Sequence, residues 1–438
     1  MNQNKLTFKE MCLKSFEDFE KNLNGEKQLP IHSYRKKAFE HFINLDIPTV
    51  KNEEWKYTNI SFLAKEEFII NPVKTDFSYD HISKFLFDNL EHSLITFVNG
   101  LYIKNLSKLL DIPSGVEILS LSEAIKNNHT IVKDYLGSSS ENTNNFFTTL
   151  NSSFINDGAL IYVPDGKIVE NPIHLIFYNN SSSPKELIQP RNLFVVGKNA
   201  QVTILEHFVS DTDTEYFTNS VTEIFVDENG NLDHIKLQEE SLKSIHIGRM
   251  DINQERNSNF SSHLISTGAK FSRNEFNSVF KGEGSESTLN GLFMIDGEQL
   301  FDAHTLIDHA KPHCASHEHY KGILQGNSKG VFNGKVMVRQ DAQKTNAFQE
   351  NNAILLSDSA VMNTKPQLEI FADDVKCSHG ATIGKLNEEA KFYLKSRGIG
   401  EDVATAILIH AFASDVITSI KIEALRDYLE KIITRKFN

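Results

Sequence analysis

The stretch Leu193-Phe194-Val195-Val196-Gly197-Lys198-Asn199-Ala200-Gln201-Val202-Thr203-Ile204-Leu205 sets the texture of the middle of this chain. Two short apolar runs, Leu193 to Val196 and Val202 to Leu205, flank a Gly-Lys-Asn turn, which is the signature of consecutive strands and not of a helix. The same texture begins near Asn151, with runs at Ala159 to Val163, Ile173 to Tyr178 and Val221 to Val226. It continues through Ile235 to Leu237, His263 to Ser266, Leu292 to Ile295, Gly330 to Val338 and Ala353 to Leu356. No long helical stripe interrupts them, which argues against a parallel α/β sheet. So many strands in one block need a closed or stacked architecture to cover their edges, so a sandwich, a barrel and a β-solenoid all fit. The turn glycines at Gly197, Gly230, Gly268 and Gly284 are spaced by 33, 38 and 16 residues, too unevenly for a strict repeat.

Helical patterns flank this block. Phe8, Cys12, Phe16, Phe19 and Leu23 recur at helical spacing before Gly25, and a second stripe of Tyr34, Ala38, Phe42 and Ile43 follows Pro30 and stops by Pro48. Leu94 to Val98, Asn99-Gly100 and Leu101 to Ile103 predict a hairpin, because Asn-Gly suits the positive φ angles of a type I′ turn. A further helix is expected over Leu121 to Leu136, and Gly137 to Asn145 has the composition of a mobile linker. At the other end, Asn387 can cap a helix that Gly398 stops. Val403, Ala404, Ile407, Leu408, Ala411 and Phe412 form a second stripe, and Ile422, Leu425, Leu429, Ile432 and Ile433 a third. A helical unit this small buries little core alone and must pack on the β region or on another protein.

Composition narrows the class. The chain has 438 residues, 39% hydrophobic and 24% charged, which fits a globular chain and not a disordered one. A formal net charge of −13 argues against nucleic acid or an anionic membrane as partner. No apolar stretch reaches membrane-span length; Val403 to Ile417 is broken by His410, Ser414 and Asp415. Met1 to Lys5 leads into an amphipathic segment and not a signal core, so the cytoplasm is expected. Cys12, Cys314 and Cys377 are too few and too scattered for a disulfide framework.

Two clusters invite chemistry. His304 to His319 holds five His and one Cys in sixteen residues, a density that suggests zinc. The helical His-Glu-x-x-His spacing is absent, however. Read as a strand, His313, His317 and His319 share one face and Cys314, Ser316 and Glu318 the other. The plain structural reading, a solvated imidazole row over a buried Cys314, outweighs metal there. In the second cluster, Cys377-Ser378-His379, the thiol and imidazole project from one face of an extended chain, roughly 7 Å apart. Sulfur beside imidazole suits iron or zinc, and a packed Cys beside a turn His is the competing reading. Two side chains cannot close a four-ligand site, so any metal there draws further ligands from elsewhere, another subunit included. Gly166-Lys167, Gly334-Lys335 and Gly384-Lys385 are not P-loops, and no Gly-x-Gly-x-x-Gly or Gly-x-Ser-x-Gly occurs, so ATP, flavin or serine-hydrolase chemistry has no motif to stand on.

The run Pro366 to Thr382, which includes Phe371-Ala372-Asp373-Asp374-Val375-Lys376-Cys377-Ser378-His379-Gly380-Ala381-Thr382, continues to Phe392-Tyr393-Leu394-Lys395-Ser396-Arg397-Gly398-Ile399. Together they closely resemble the signature of the SufB/SufD family of iron–sulfur cluster assembly. The resemblance extends to Gln343-Lys344-Thr345-Asn346-Ala347, Val331-Phe332-Asn333-Gly334-Lys335, His304 to Cys314, Asp157 to Pro164 and Glu54-Trp55-Lys56-Tyr57-Thr58, and so covers nearly the whole chain. The Cys-Ser-His-Gly-Ala-Thr run resembles one of the family's two branches, the other of which tends to carry Glu-His-Glu-Ala-Thr there.

The resemblance implies a mainly β fold: a right-handed parallel β-helix core over 151–385, after a mostly helical region over 1–150 and before a helical region over 386–438. It implies a non-catalytic scaffold subunit of a SufBCD-type complex in which Cys377 and His379 hold a transient, nascent iron–sulfur cluster at the interface with a SufB-like paralogue. The C-terminal helices would dock a SufC-like ATPase, and the isolated chain would form a homodimer. A stand-alone His-rich metal-binding protein and a β-helix carbohydrate-active enzyme are the alternatives from other classes.

Overall fold

The computed structural model describes residues 7–70, 77–139, 143–180 and 185–437. Its centre is a parallel β-solenoid made of an 11-stranded and a 10-stranded sheet, to which successive strands contribute alternately. From Gln201 onward each coil lays one strand of 8–11 residues on each sheet, up to Val361–Ile370 on the first and Lys376–Gly384 on the second. Of the three architectures that the strand pattern allows, the solenoid is the one formed. The register carries the repeat: Phe217 lies beside Ile245, then Phe271, Leu300, Lys329 and Val361, so the coils advance by 28, 26, 29, 29 and 32 residues.

The uneven glycine spacing has a direct explanation. One corner of the coil needs a residue in the left-handed region, and that position is filled in turn by Asn199, Asn229, Asn257, Gly284, His313 and Lys344, with φ between 53° and 73°. The backbone N–H of each donates to a carbonyl in the next coil, as from Asn229 to Arg256 and from His313 to Gln343, both at 2.9 Å. Asn and Gly tolerate this conformation best, and here a stacked ladder imposes it on His and Lys too. Gly268 belongs to the opposite corner, where Ala269, Gly297 and Gly326 take the left-handed position. The four glycines thus belong to two different corners, and a repeat of variable length underlies their uneven spacing.

Alternate side chains point into the lumen, where register stacks like on like. Phe97, Phe177 and Phe208 are successive partners, and their rings stack at 4.8 and 4.7 Å, the spacing of the strands themselves. The outer faces are also covered. Phe8, Phe16, Phe42 and Trp55 pack over Phe217, Ile247 and Phe271 of the larger sheet. Ile409, Val416, Leu425 and Leu429 pack over Leu237, Ile265 and Ile323 of the smaller one. No helix among the described residues is long and apolar enough to cross a membrane.

The helices depart from the sequence pattern in places. Phe8–Asn22 forms as expected, whereas Pro30–Phe42 ends well before Pro48. The 121–136 segment splits into Leu121–Lys126 and Thr130–Tyr135 because Asn128 turns left-handed between them. The Asn99-Gly100 turn forms as expected, with φ of 47° and 77°. Within Glu401–Thr418 the buried face is Ala404, Ile409, Ala413, Val416 and Ile417, so Val403 and Ile407 of the expected stripe are left exposed. Residues 140–142 of the expected linker, like Met1 to Lys5, lie outside the described residues. The flanks of that linker are tied down, since Gly137 and Ser139 donate backbone N–H groups to Glu223 at 2.9 and 3.2 Å and Asn145 Nδ2 donates to Glu275 at 2.8 Å.

The Glu54 to Thr58 segment is strapped to the larger sheet by buried charge. Arg273 lies 3.9 Å over the Trp55 ring and donates to Asp302 at 2.5 Å, to Glu275 at 2.8 Å and to the Glu54 carbonyl at 3.0 Å. Thr58 Oγ1 donates to Asp302 at 2.6 Å, and His304 bridges Asp302 at 2.9 Å and Glu54 at 3.2 Å. Burial opposes ionisation of Asp302, but the His304 and Arg273 charges outweigh it and bring its pKa down to about 2. Burial likewise opposes the His304 cation, and Asp302 outweighs it, holding the imidazole above its ordinary value. Arg273→Leu should therefore cost about 3–5 kcal/mol, measured by denaturant unfolding, because two buried carboxylates lose their cation. The raised His304 contributes stability that is complete below its unfolded pKa and is lost as pH rises through its folded value. Unfolding measured across pH 6 to 9 should accordingly show a decline that His304→Gln removes.

Candidate functional site

The solenoid ends differently at its two ends. At the N-terminal end the chain turns back, with Leu101–Tyr102 antiparallel to Ser93–Val98 and Glu117–Ser120 antiparallel to Ala159–Val163. At the C-terminal end Val361–Ile370 and Lys376–Gly384 each pair on one side only, and their other edges are open. The final corner is held by Lys344, whose backbone N–H donates to the Asp374 carbonyl at 2.7 Å and whose ammonium pairs with the Asp374 carboxylate. That corner sets the phase of the last strand.

In this phase Cys377 stands over Ala347 and His379 over Gln349. Cys377 is half-buried against a lumenal cluster of Val336, Val338, Ala342, Ala347 and Ala372. His379, two residues on, shares its face and is exposed. Burial pushes the Cys377 thiol above its ordinary value, partly offset by a hydrogen bond from the Ala347 backbone. The pair therefore lies at the mouth of the lumen on a strand with one open edge: a soft sulfur half-shielded inside and an imidazole at the rim. A metal bound there would have to displace the thiol proton. Among the described residues no group of three or more His, Cys, Asp or Glu is placed to hold a metal ion.

The His304 to His319 cluster, dense in sequence, is dispersed in space. His304 belongs to the strap on the outer face. His309 points into the lumen beside Ser316 Oγ at 2.9 Å, and burial pushes it down to about 3. His313 is a corner residue at φ 61°, not part of a strand, so it does not share a strand face with the other two as expected. His317 stacks on Phe348 at 5.6 Å and His319 lies 3.9 Å from Glu350 and Asp415, both on the outer side. Cys314 is buried.

Below His379 lie Gln349, which carries no signal in the sequence, and Glu318, whose face the alternation gives but whose partners it does not. In register order Leu289, Glu318, Gln349 and His379 make one column. Glu318 accepts from Thr305 Oγ1 at 2.5 Å and from Gln349 Nε2 at 3.2 Å. Burial raises its pKa to about 7 despite these bonds. The signal lay in the alternation of Ser316, Glu318 and Tyr320 with the outer histidines, but only register reveals the partners. An acid whose folded pKa is raised from 4.5 loses stability as pH climbs toward 7. Glu318→Gln should therefore gain on the wild type between pH 5 and pH 8, by on the order of 3 kcal/mol in unfolding free energy.

Residues 177–412 match the family described as SUF system FeS cluster assembly, SufBD core domain, and residues 7–175 match the SufBD protein N-terminal region. The chain is 33% identical over 420 residues to an iron–sulfur cluster assembly SufBD family protein of Synechocystis sp., covering 94% of this chain and 92% of that protein. It is 32% identical over 394 residues to the iron–sulfur cluster assembly protein SufD of Escherichia coli, covering 88% of each. It is 26% identical over 399 residues to SufB of Bacillus subtilis, covering 86% of this chain and 83% of that protein.

Proposed function

The chain belongs to the SufB/SufD family of SUF-system iron–sulfur cluster assembly proteins, a non-catalytic scaffold family, and from that premise we propose that it works as the SufD-like subunit of a SufBCD-type complex. In this reading the open end of the solenoid receives a SufB-like paralogue, and Cys377 and His379 supply two ligands to a nascent cluster that the partner completes. The observation that carries it is the placement of both residues on one face of the last strand, whose outer edge is open. Iron and sulfide are cargo, held while a cluster forms and then released.

A SufC-like ATPase docks on the C-terminal helices. Phe392 and Tyr393 of Glu388–Ser396 are 73% and 57% exposed, and Val403 and Ile407 extend the same apolar character along the next helix. Closure of two such ATPases on ATP would twist the paralogue against this chain and align the ligands. The regions 1–150, 151–385 and 386–438 divide these tasks into strap, ligand platform and ATPase dock. The isolated chain pairs with itself, in the cytoplasm, where the paralogue is missing.

His379→Ala and Cys377→Ala should each lower the iron and sulfide bound to the purified complex several-fold while the three subunits still co-elute. Unchanged iron and sulfide would defeat the ligand assignment. Phe392→Asp combined with Tyr393→Asp should release the ATPase on size-exclusion chromatography and leave pairing with the paralogue intact.

A further inference from the structure

Gln349 is 2% exposed and lies directly below His379 in the lumenal column. Its Nε2 donates to Glu318, while its Oε1 is buried with no hydrogen-bond partner. A buried acceptor left without a donor is costly, so it favours any donor brought within reach. The amide is also locked in place. A Cβ at Gly334 would come within 2.3 Å of Gln349 Nε2 and 2.7 Å of its Cδ, so the amide occupies the space that a side chain at Gly334 would take. Thr305 engages Oε2 of Glu318, which leaves Oε1 to accept from the amide and sets which way the amide faces.

The residue next above Gln349 in register is His379, on a strand about 4.8 Å further along the ladder. Columns in this lumen already bond or stack from coil to coil, as His234 does to Ser262 lower in the same column at 3.0 Å and Phe177 to Phe208. We infer that Gln349 is a positioning residue for His379: its free carbonyl oxygen accepts the N–H of one imidazole nitrogen and turns the lone pair of the other out through the open end, toward a metal ion shared with Cys377. Metal-bound histidines are held in this way by an acceptor behind them, which fixes the tautomer. The inference rests on the ligand reading of His379, and its test separates the two.

In the full chain labelled with 15N-imidazole histidine, the His379 signals are assigned by their loss in His379→Gln. At pH 8 the wild-type imidazole should show one tautomer in clear excess over the free-histidine mixture. Gln349→Met, of similar length but without the acceptor, should return it to that mixture, and Gln349→Glu, which keeps an oxygen, should restore the excess. In the assembled complex titrated with Fe(II), Gln349→Met should weaken binding about tenfold or more. An unbiased wild-type imidazole, or a bias that survives in Gln349→Met, overturns the inference whatever iron His379→Ala retains, since that variant tests the ligand reading alone. The wild-type measurement needs no substitution to fold.

Discussion

A parallel β-coil satisfies its backbone only through the coil above and the coil below, so its terminal coil keeps donors and acceptors that no later residue in the ladder can take. Here the two ends meet that constraint in opposite ways. The N-terminal end folds antiparallel strands over itself, at Leu101–Tyr102 and Glu117–Ser120. The C-terminal end leaves Val361–Ile370 and Lys376–Gly384 at full length, with Phe371 exposed at the corner between them. Long, regular edges of this kind are templates for a strand of another chain, and proteins that are meant to stay alone blunt them. The proposed ligands lie on that edge, so ligand supply and subunit pairing would be two consequences of one unfinished ladder.

The polar lumen explains how such a coil keeps its register over this many strands. Glu206 accepts from Asn192 at 2.5 Å and from Thr222 at 2.9 Å across the lumen, and pairs with His234 of the next coil at 2.9 Å. Lys236 reaches His246 at 2.9 Å and Asn274 at 2.8 Å, and burial pushes it down to about 8. Buried ionic contacts of this kind add little net stability, because desolvation consumes most of their attraction. They penalise mispairing instead. A slip of one residue would turn Lys236 and Glu206 out of the lumen and bring Ile235 and Leu205 in, leaving charges unpaired under the C-terminal helices.

The same polar interior limited what could be read from the sequence. The apolar halves of the strands were legible, such as Ala159–Val163 and Ile173–Tyr178, which form as bounded. Strands such as Ile245–Gln254 and Phe271–Phe280 were not, because His246, Asn274 and Ser278 face inward while the outer face is also buried, so the alternation of period two disappears. The right face of Cys377 and His379 followed from their spacing, but that this face is the lumenal one depends on register. Glu318 and Gln349 meet only because two coils place residues 31 apart side by side. In the histidine-rich run, where the plain structural reading already outweighed metal, only the strand face given to His313 was wrong, because that residue is a corner.

Pairing a half-buried thiol with an exposed imidazole has a consequence for when metal can be held. Burial keeps Cys377 protonated in the uncovered chain, and a thiol is a poor ligand until a metal takes the place of its proton. Two donors on one strand offer a weak, incomplete site, so on the proposed reading the uncovered end captures little iron. A docked partner changes both terms together. It would add the missing donors and, by excluding water, strengthen the attraction between thiolate and metal that offsets loss of the proton. Reopening the interface reverses both. A site divided between an edge strand and its partner can thus load and release its cargo through subunit movement, which a complete set of ligands within one solenoid could not do.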